Sequence, residues 1–352
     1  MPVLNPKKKI LIAPLNWGLG HAARCIPIIR ALLDYDFEPI IASDGSALTF
    51  LQKEFPQLKS YSLLSYDIEY SKSKNQKYKL LLNMPHVIKA LFKEKKEVEV
   101  IHKKEGLSGI ISDNRFGVRN SRIPSIYITH QLNVLSGNTT FFTTLLHQKI
   151  ISKFDECWVP DSNGQPKLSG DLSTIKNKKL KIRFIGAISR FKKKPSRKKY
   201  DLLILLSGPE PQRTILEEKL LLELKAFDQK VLFVRGVLIN EKKKNYSENV
   251  TVVNYLLTEE LEQALNESEL VLARSGYSTI LDLAKLNKRA FFIPTPGQYE
   301  QEYLANRVQE LQIAPFENQD SFELKMLNRT VNYKGFTNSD DDNIPLDLFK
   351  FF

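Results

Sequence analysis

Twice over, the chain alternates short apolar, β-branched runs with longer stretches whose apolar residues recur at helical spacing, and this grammar restricts it to parallel sheets flanked by helices. In the first series strands are expected at 10–13, 39–42, 58–63, 107–112, 125–129 and 156–159, with helices at 22–33 and 46–55. The second series starts with YDLLILLS at residue 200. Its strands continue at 230–234, 250–254, 270–273 and 290–293, with helices at 212–226, 259–266, 278–286 and 300–311. Between the two runs RFKKKPSRKK, with seven basic residues in ten and a proline, which reads as an exposed connection.

A length of 352 residues suits two domains of ordinary size. The expected division is 1–189, a basic linker 190–199, a second domain 200–325, and a polar tail 326–352. That tail carries Asp340, Asp341 and Asp342 and ends in the apolar LDLFKFF, either a short docking helix or a frayed end. The fold class is α/β: two doubly wound, Rossmann-like domains, with a ligand cleft expected between the carboxyl edges of their sheets.

A formal charge of +12 and a pI near 9.4 favour an anionic ligand or surface. Nucleic acid is not expected, because the lysines are widely spread and no stacking-aromatic motif accompanies the basic run. Residues 77–96, KYKLLLNMPHVIKALFKEKK, join apolar groups to lysines; they read as an interfacial helix at an anionic membrane or as an ordinary amphipathic helix on its own sheet. Cys25 and Cys157 form no CxxC pair, so neither a disulfide framework nor a zinc site is expected. The amino-terminal apolar stretch is cut short by Pro14, Asn16 and glycines, so it reads as a first strand of a cytoplasmic protein.

Chemistry concentrates where strands end. The first strand runs into Asn16-Trp17-Gly18-Leu19-Gly20-His21. Gly18 and Gly20 open backbone conformations to a close ligand, and the helix that follows offers amides to an anion. The loop lacks the third glycine of a dinucleotide fingerprint and the Lys-Ser/Thr of a P-loop; the bland alternative is a glycine turn with a structural histidine. Asp113 also ends a strand, and if the two strands are close its carboxylate orients His21 and stabilises its imidazolium; otherwise it is a loop carboxylate bonded locally. His130 ends the next run, as an acceptor-side contact or a helix cap.

In the second series Ser207 and Gly208 precede a helix with Arg213 in its first turn, a diphosphate cradle or a plain turn. Residues 271–308 are denser. Arg274, Ser275 and Gly276 leave one strand, Asp282 follows within the next helix, and Glu300 and Gln301 follow the strand after it. Backbone amides and hydroxyls suit phosphate, while carboxylate and amide side chains suit the hydroxyls of ribose and sugar.

RSGYSTILDLAKLNKRAFFIPTPGQYEQEYLA resembles the donor-binding region of GT-B glycosyltransferases related to the peptidoglycan N-acetylglucosaminyltransferase and the diacylglycerol glycosyltransferases, the family 28 type of carboxy-terminal domain. NWGLGH resembles that group's amino-terminal glycine loop. The resemblance implies a UDP-sugar co-substrate with no other cofactor and transfer to an acceptor hydroxyl with inversion. Ser275, Gly276 and Thr279 would lie at the donor diphosphate with Arg274, Asp282 at the ribose, and Glu300 and Gln301 at the sugar. His21 would be base or acceptor contact. Asp282 is a shorter acid than the group's glutamate, Glu300 replaces His or Gln, and Leu304 replaces Asn.

No DxD-like metal site stands at a strand end, so no obligatory metal is expected. The acceptor, lipid, glycan or small metabolite, is not readable, and the inner face of the plasma membrane is one expected location. Two rival readings remain: a UDP-sugar 2-epimerase of the same fold, and a non-catalytic nucleotide-sugar-binding protein.

Overall fold

Ile10, Leu11, Ile12 and Ala13 are wholly shielded from solvent, which an unbroken apolar run achieves in a strand covered on both faces. In the computed structural model this run is β1 (Lys9–Pro14). The structure describes residues 6–66, 84–164, 167–174, 179–239, 244–337 and 344–352. It divides into two units: Met1–Gln165 with Asp171–Gly186 and Asp342–Phe352, and Pro166–Gly170 with Ala187–Asp341.

In the first unit β1 is joined by β2 (Glu38–Ser43), β3 (Ser60–Ser62), β4 (Gly109–Asp113), β5 (Ser125–Ile128), β6 (Glu156–Val159) and β7 (Ile182–Phe184). All pair in parallel in the order β3-β2-β1-β4-β5-β6-β7. The helices are α1 (Leu19–Asp34), α2 (Gly45–Glu54), α3 (Met84–Glu105) and α4 (Thr140–Ile151). Strand order reverses beside β1, the point at which open α/β sheets bind ligands, and there the register sets Pro14 against Asp113 at the carboxyl ends of β1 and β4.

The second unit repeats the scheme with β8 (Tyr200–Leu205), β9 (Val231–Val234), β10 (Lys244–Asn245), β11 (Val250–Val253), β12 (Ser268–Ala273) and β13 (Arg289–Phe292), ordered β10-β11-β9-β8-β12-β13. Five strands are parallel and the short β10 is antiparallel. Helices α5 (Gln212–Leu224), α6 (Thr258–Asn266), α7 (Tyr277–Lys285) and α8 (Tyr299–Glu310) complete it. Here the reversal falls between β8 and β12. Leu202, Ile204, Phe233, Leu272 and Phe291 from the strands pack with Leu216 and Leu220 of α5 and with Phe322 and Leu327.

The basic run is exposed at 192–199, as expected of a connection, and its backbone is tied down: Lys192 N donates to Glu262 Oε2 at 2.6 Å, Lys194 N to Asn266 Oδ1 at 3.1 Å and Lys199 N to Glu267 O at 2.8 Å. It lies wholly in the second unit, which starts at Ala187. Residues 326–337 belong to that unit too, with Leu327 buried in its core, so they are not tail. Of the two forms expected for the final apolar piece the docked one is found: a 3-10 turn, Leu346–Phe351, packed on the first unit through Phe349. Helix α4 and strands β7 and β10 were not anticipated. Residues 77–83 and the acidic run at 340–342 lie outside the described residues. Within α3, Ala90, Val98 and Ile101 are buried, as an amphipathic helix packed on its sheet requires.

Candidate active site

Gly18 caps α1 with φ 76°, a left-handed value that admits glycine cheaply and other residues with strain. The chain therefore turns sharply out of β1 and α1 begins at Leu19, three residues earlier than expected, with Gly20 and His21 in its first turn. Asn16 anchors the loop. Its Oδ1 accepts from Ala47 N (3.2 Å) and Ser46 Oγ (2.9 Å), and its Nδ2 donates to Asp44 Oδ2 (3.1 Å), tying the loop to the start of α2.

His21 Nδ1 stands 2.8 Å from Asp113 Oδ1. Burial alone would raise the Asp113 carboxyl, but the charges of Arg24 and His21 and their hydrogen bonds outweigh it, and the group is held well below the usual carboxylate range. Arg24 Nη2 lies 3.0 Å from the same Nδ1. An ionised carboxylate only accepts and a guanidinium only donates, so the tautomer with the proton on Nδ1 bonds Asp113 and leaves the Nε2 lone pair of a general base, while the other accepts from Arg24.

Sequence reasoning missed what holds Asp113. Arg24, one helical turn beyond His21 and itself buried, donates from Nε to Asp113 Oδ2 (2.7 Å) and from Nη2 to Oδ1 (2.5 Å). Its Nη1 lies 3.1 Å from His130 Nδ1, which must accept because guanidinium only donates. His130 is thus buried in the same network rather than presented openly as an acceptor contact. Asn114 Nδ2 adds a bond to Asp113 Oδ1 (3.2 Å), and Tyr127 Oη donates to Asn114 Oδ1 (3.0 Å). An arginine on the apolar side of a helix, three residues after the loop histidine, was the available signal.

Ser207 and Gly208 lie just past β8 and Ser275 and Gly276 just past β12, the neighbouring strands at the second reversal. A Cβ placed on Gly276 would meet nothing closer than Thr279 Oγ1 at 4.0 Å, so the start of α7 is open to a close approach. Thr295, just past β13 and 2% exposed, has a hydroxyl without a hydrogen-bond partner among the described residues, and a Cβ on Gly208 would stand 3.4 Å from it. Thr295 was not singled out from sequence; a threonine between two prolines at a strand end looked like turn chemistry alone.

Two arginines expected at a diphosphate are turned inward. Arg274 is 1% exposed and donates to the carbonyls of Ile293 (3.2 Å), Pro294 (3.1 Å) and Gln212 (3.0 Å) and to Gln319 Oε1 (2.6 Å), and burial lowers its pKa to about 10. Arg213 bonds Glu210 Oε1 (2.6 Å), Glu217 and Thr214 Oγ1 (2.7 Å). Glu210 Oε2 also accepts from Thr214 N (3.2 Å), so a carboxylate already sits at the expected anion cradle of α5.

The other second-unit residues are partly committed. Ser275 Oγ donates to Gln301 O (2.7 Å), while the Gln301 side chain accepts from Thr295 N (2.9 Å) and donates to Gln298 Oε1 (2.5 Å). These bonds lock the start of α8 onto the loop after β13. Glu300 is half-buried in the first turn of α8. Asp282 accepts from Ser189 Oγ (2.5 Å), and burial raises its carboxyl to about 6. Among the described residues no cluster of three His, Cys, Asp or Glu converges as a cation site. Both cysteines are free and buried.

Residues 211–333 match the glycosyltransferase family 28 C-terminal domain. This segment is a glycosyltransferase family 28 C-terminal domain. The chain is 22% identical over 206 residues to the UDP-N-acetylglucosamine--N-acetylmuramyl-(pentapeptide) pyrophosphoryl-undecaprenol N-acetylglucosamine transferase of Haemophilus ducreyi, an alignment covering 56% of this chain and about half, 54%, of that relative. Among solved structures, the glycotransferase of kitacinnamycin superposes with TM-score 0.62 at 13% identity, covering 93% of this chain and 90% of that one. MurG of Acinetobacter baumannii gives 0.55 at 13% identity over 94% and 91%. The two parallel α/β sheets are those of the GT-B fold.

Proposed function

We propose that this family 28 domain and its partner unit transfer a glycosyl group from a UDP-sugar to an acceptor hydroxyl, with inversion. The observation that carries the reading is the 2.8 Å His21–Asp113 pair at the strand-order reversal of the first sheet, and the reading takes the tautomer in which Nδ1 donates to the carboxylate. In this reading His21 Nε2 takes the acceptor proton as the acceptor oxygen bonds to the sugar's anomeric carbon. The bond from that carbon to the diphosphate breaks, and UDP leaves with the electron pair.

The second unit holds the donor. The open start of α7 at Gly276 and Thr279, with Ser207, Gly208 and the Thr295 hydroxyl, takes the departing diphosphate, and Asp282 takes the ribose hydroxyls. Arg274 acts there only through space, as a buried cation with no carboxylate among its bonds. Glu300 and Gln301 lie nearest the sugar.

A panel of nucleotide sugars scored by thermal stabilisation identifies the donor, and release of UDP with that donor reports turnover. His21→Ala is expected to lower turnover at least about 100-fold while UDP still stabilises the protein. Turnover at the unaltered rate in His21→Ala would refute the base assignment. Stabilisation by no UDP-sugar would refute the donor class.

A further inference from the structure

Helix α4 is apolar on both sides. Its inner side sends His147 and Ile151 into the first unit. His147 packs edge-on against Phe116 and Tyr127, and Ile151 joins the cluster of Tyr127, Phe154 and Leu180. Its outer side carries Phe141, Phe142, Leu145 and Leu146, exposed by 67%, 72%, 50% and 46%. The spacing i, i+1, i+4, i+5 gathers these four on one face. A water-facing helix ordinarily puts charged residues there.

Cations stand at the carboxyl end of the same helix. Lys149 and Lys153 are exposed, and Leu180, packed with Ile151 and Phe154, brings the exposed Lys179 and Lys181 to that end. The exposed carboxylate beside them, Asp155, accepts from Ser125 N at 2.8 Å. An apolar face bordered by lysines fits a surface with anionic headgroups above hydrocarbon. A second copy of the chain fits less well: a stable protein interface buries about 800 Å² per partner, and four side chains on a helix about 18 Å long fall well short. Helix α3, the interfacial candidate from sequence, exposes lysines but only two large apolar groups, Phe92 and Val100, two turns apart, among its described side chains.

We propose that α4 is a membrane-docking helix whose Phe141, Phe142, Leu145 and Leu146 enter the interface of an anionic bilayer while the lysines at its carboxyl end meet the headgroups. The docking does not depend on glycosyl transfer, and its test needs no substrate.

The test is co-sedimentation of the full chain with vesicles of phosphatidylcholine alone or mixed with phosphatidylglycerol. Binding to the mixed vesicles is expected, weakened by salt, and the variant Phe141→Ser/Phe142→Ser/Leu145→Ser/Leu146→Ser should lose at least about tenfold in partitioning. Phe142→Trp keeps the apolar face and gives a gain-of-signal check, quenching by brominated acyl chains beyond that of the unaltered protein. Failure to bind anionic vesicles, equal binding by the four-serine variant, or no added quenching of the Phe142→Trp variant by brominated lipid would overturn the proposal. So would a concentration-dependent dimer that the four-serine variant abolishes, since the face would then belong to a second copy.

Discussion

At the scale of single residues, the proposed base depends on groups that touch no substrate. Arg24 supplies two bonds to Asp113 and one to His130, so it fixes the carboxylate that fixes His21. A lysine keeps the charge but cannot span both carboxylate oxygens. Arg24→Lys is therefore expected to lower kcat about tenfold with the donor KM nearly unchanged, and Asp113→Asn to lower kcat about 100-fold. A rise in donor KM with kcat preserved would assign these residues to binding instead. His21 and Asp113 were legible because loop chemistry at strand ends is visible in one dimension. Arg24 was not: it sits in a helix read for its apolar period, and its partners are 89 and 106 positions away. The inward turn of Arg213 and Arg274 was hidden for the same reason. Cations near an expected phosphate look like ligands until the carbonyls and carboxylates around them are seen.

At the scale of elements, apolar period predicted nearly every strand within about two residues, because buried parallel strands are continuous hydrophobic runs. Helix α4 escaped: TFFTTLLHQKII is apolar on opposite sides, so no single face stands out. The last element reads from sequence as either a docking helix or a frayed end because of its length. In Leu346–Phe351 a six-residue apolar piece is too short to show a period, and its role appears only in contact. The Phe349 ring lies 5.9 Å from those of Tyr35 and Phe37 and 6.0 Å from Trp158, and Tyr35 Oη donates to Ile344 O at 2.9 Å. Phe349 is 1% exposed, so Phe349→Ala leaves a cavity at the foot of the first sheet. The expected cost is about 3 kcal/mol, read as a lower denaturant midpoint by tryptophan fluorescence. An unchanged midpoint would mean that the turn is an ornament on a sheet complete without it.

At the scale of the whole chain, each unit holds a deeply placed aspartate, Asp113 in the first and Asp282 in the second, and the two are shifted with opposite sign. In the first unit Asp113 is held well below its ordinary value near 3.8, and Glu105, bonded by Lys59 (2.6 Å), Tyr61 and Lys9 (3.5 Å), is lowered from 4.5 to about 2. Depressed carboxyls stabilise the fold fully above their unfolded values and lose that contribution as pH falls through the folded ones, here from about 4.5 downward. In the second unit burial raises Asp282 from 3.8 to about 6, so its ionised form costs stability above pH 6 and the cost vanishes as pH drops toward 4. That unit's other lowered carboxyls, Glu210, Glu269 and Glu317, are less buried and count for little. Both tryptophans, Trp17 and Trp158, lie in the first unit, so their fluorescence reports it alone while far-ultraviolet circular dichroism reports both. Near pH 3 urea is expected to shift tryptophan fluorescence at a lower concentration than it removes the bulk of the circular dichroism, a gap wider than at pH 7. Asp282→Asn should stabilise the later transition by about 1–2 kcal/mol at pH 7 and leave it unchanged near pH 4. Superimposable transitions at pH 3, or a gain from Asp282→Asn that persists at pH 4, would contradict the assignment. A carboxylate kept where it costs stability at neutral pH is what a residue retained to bind hydroxyls looks like, so the stabilised variant is also the one expected to bind UDP more weakly.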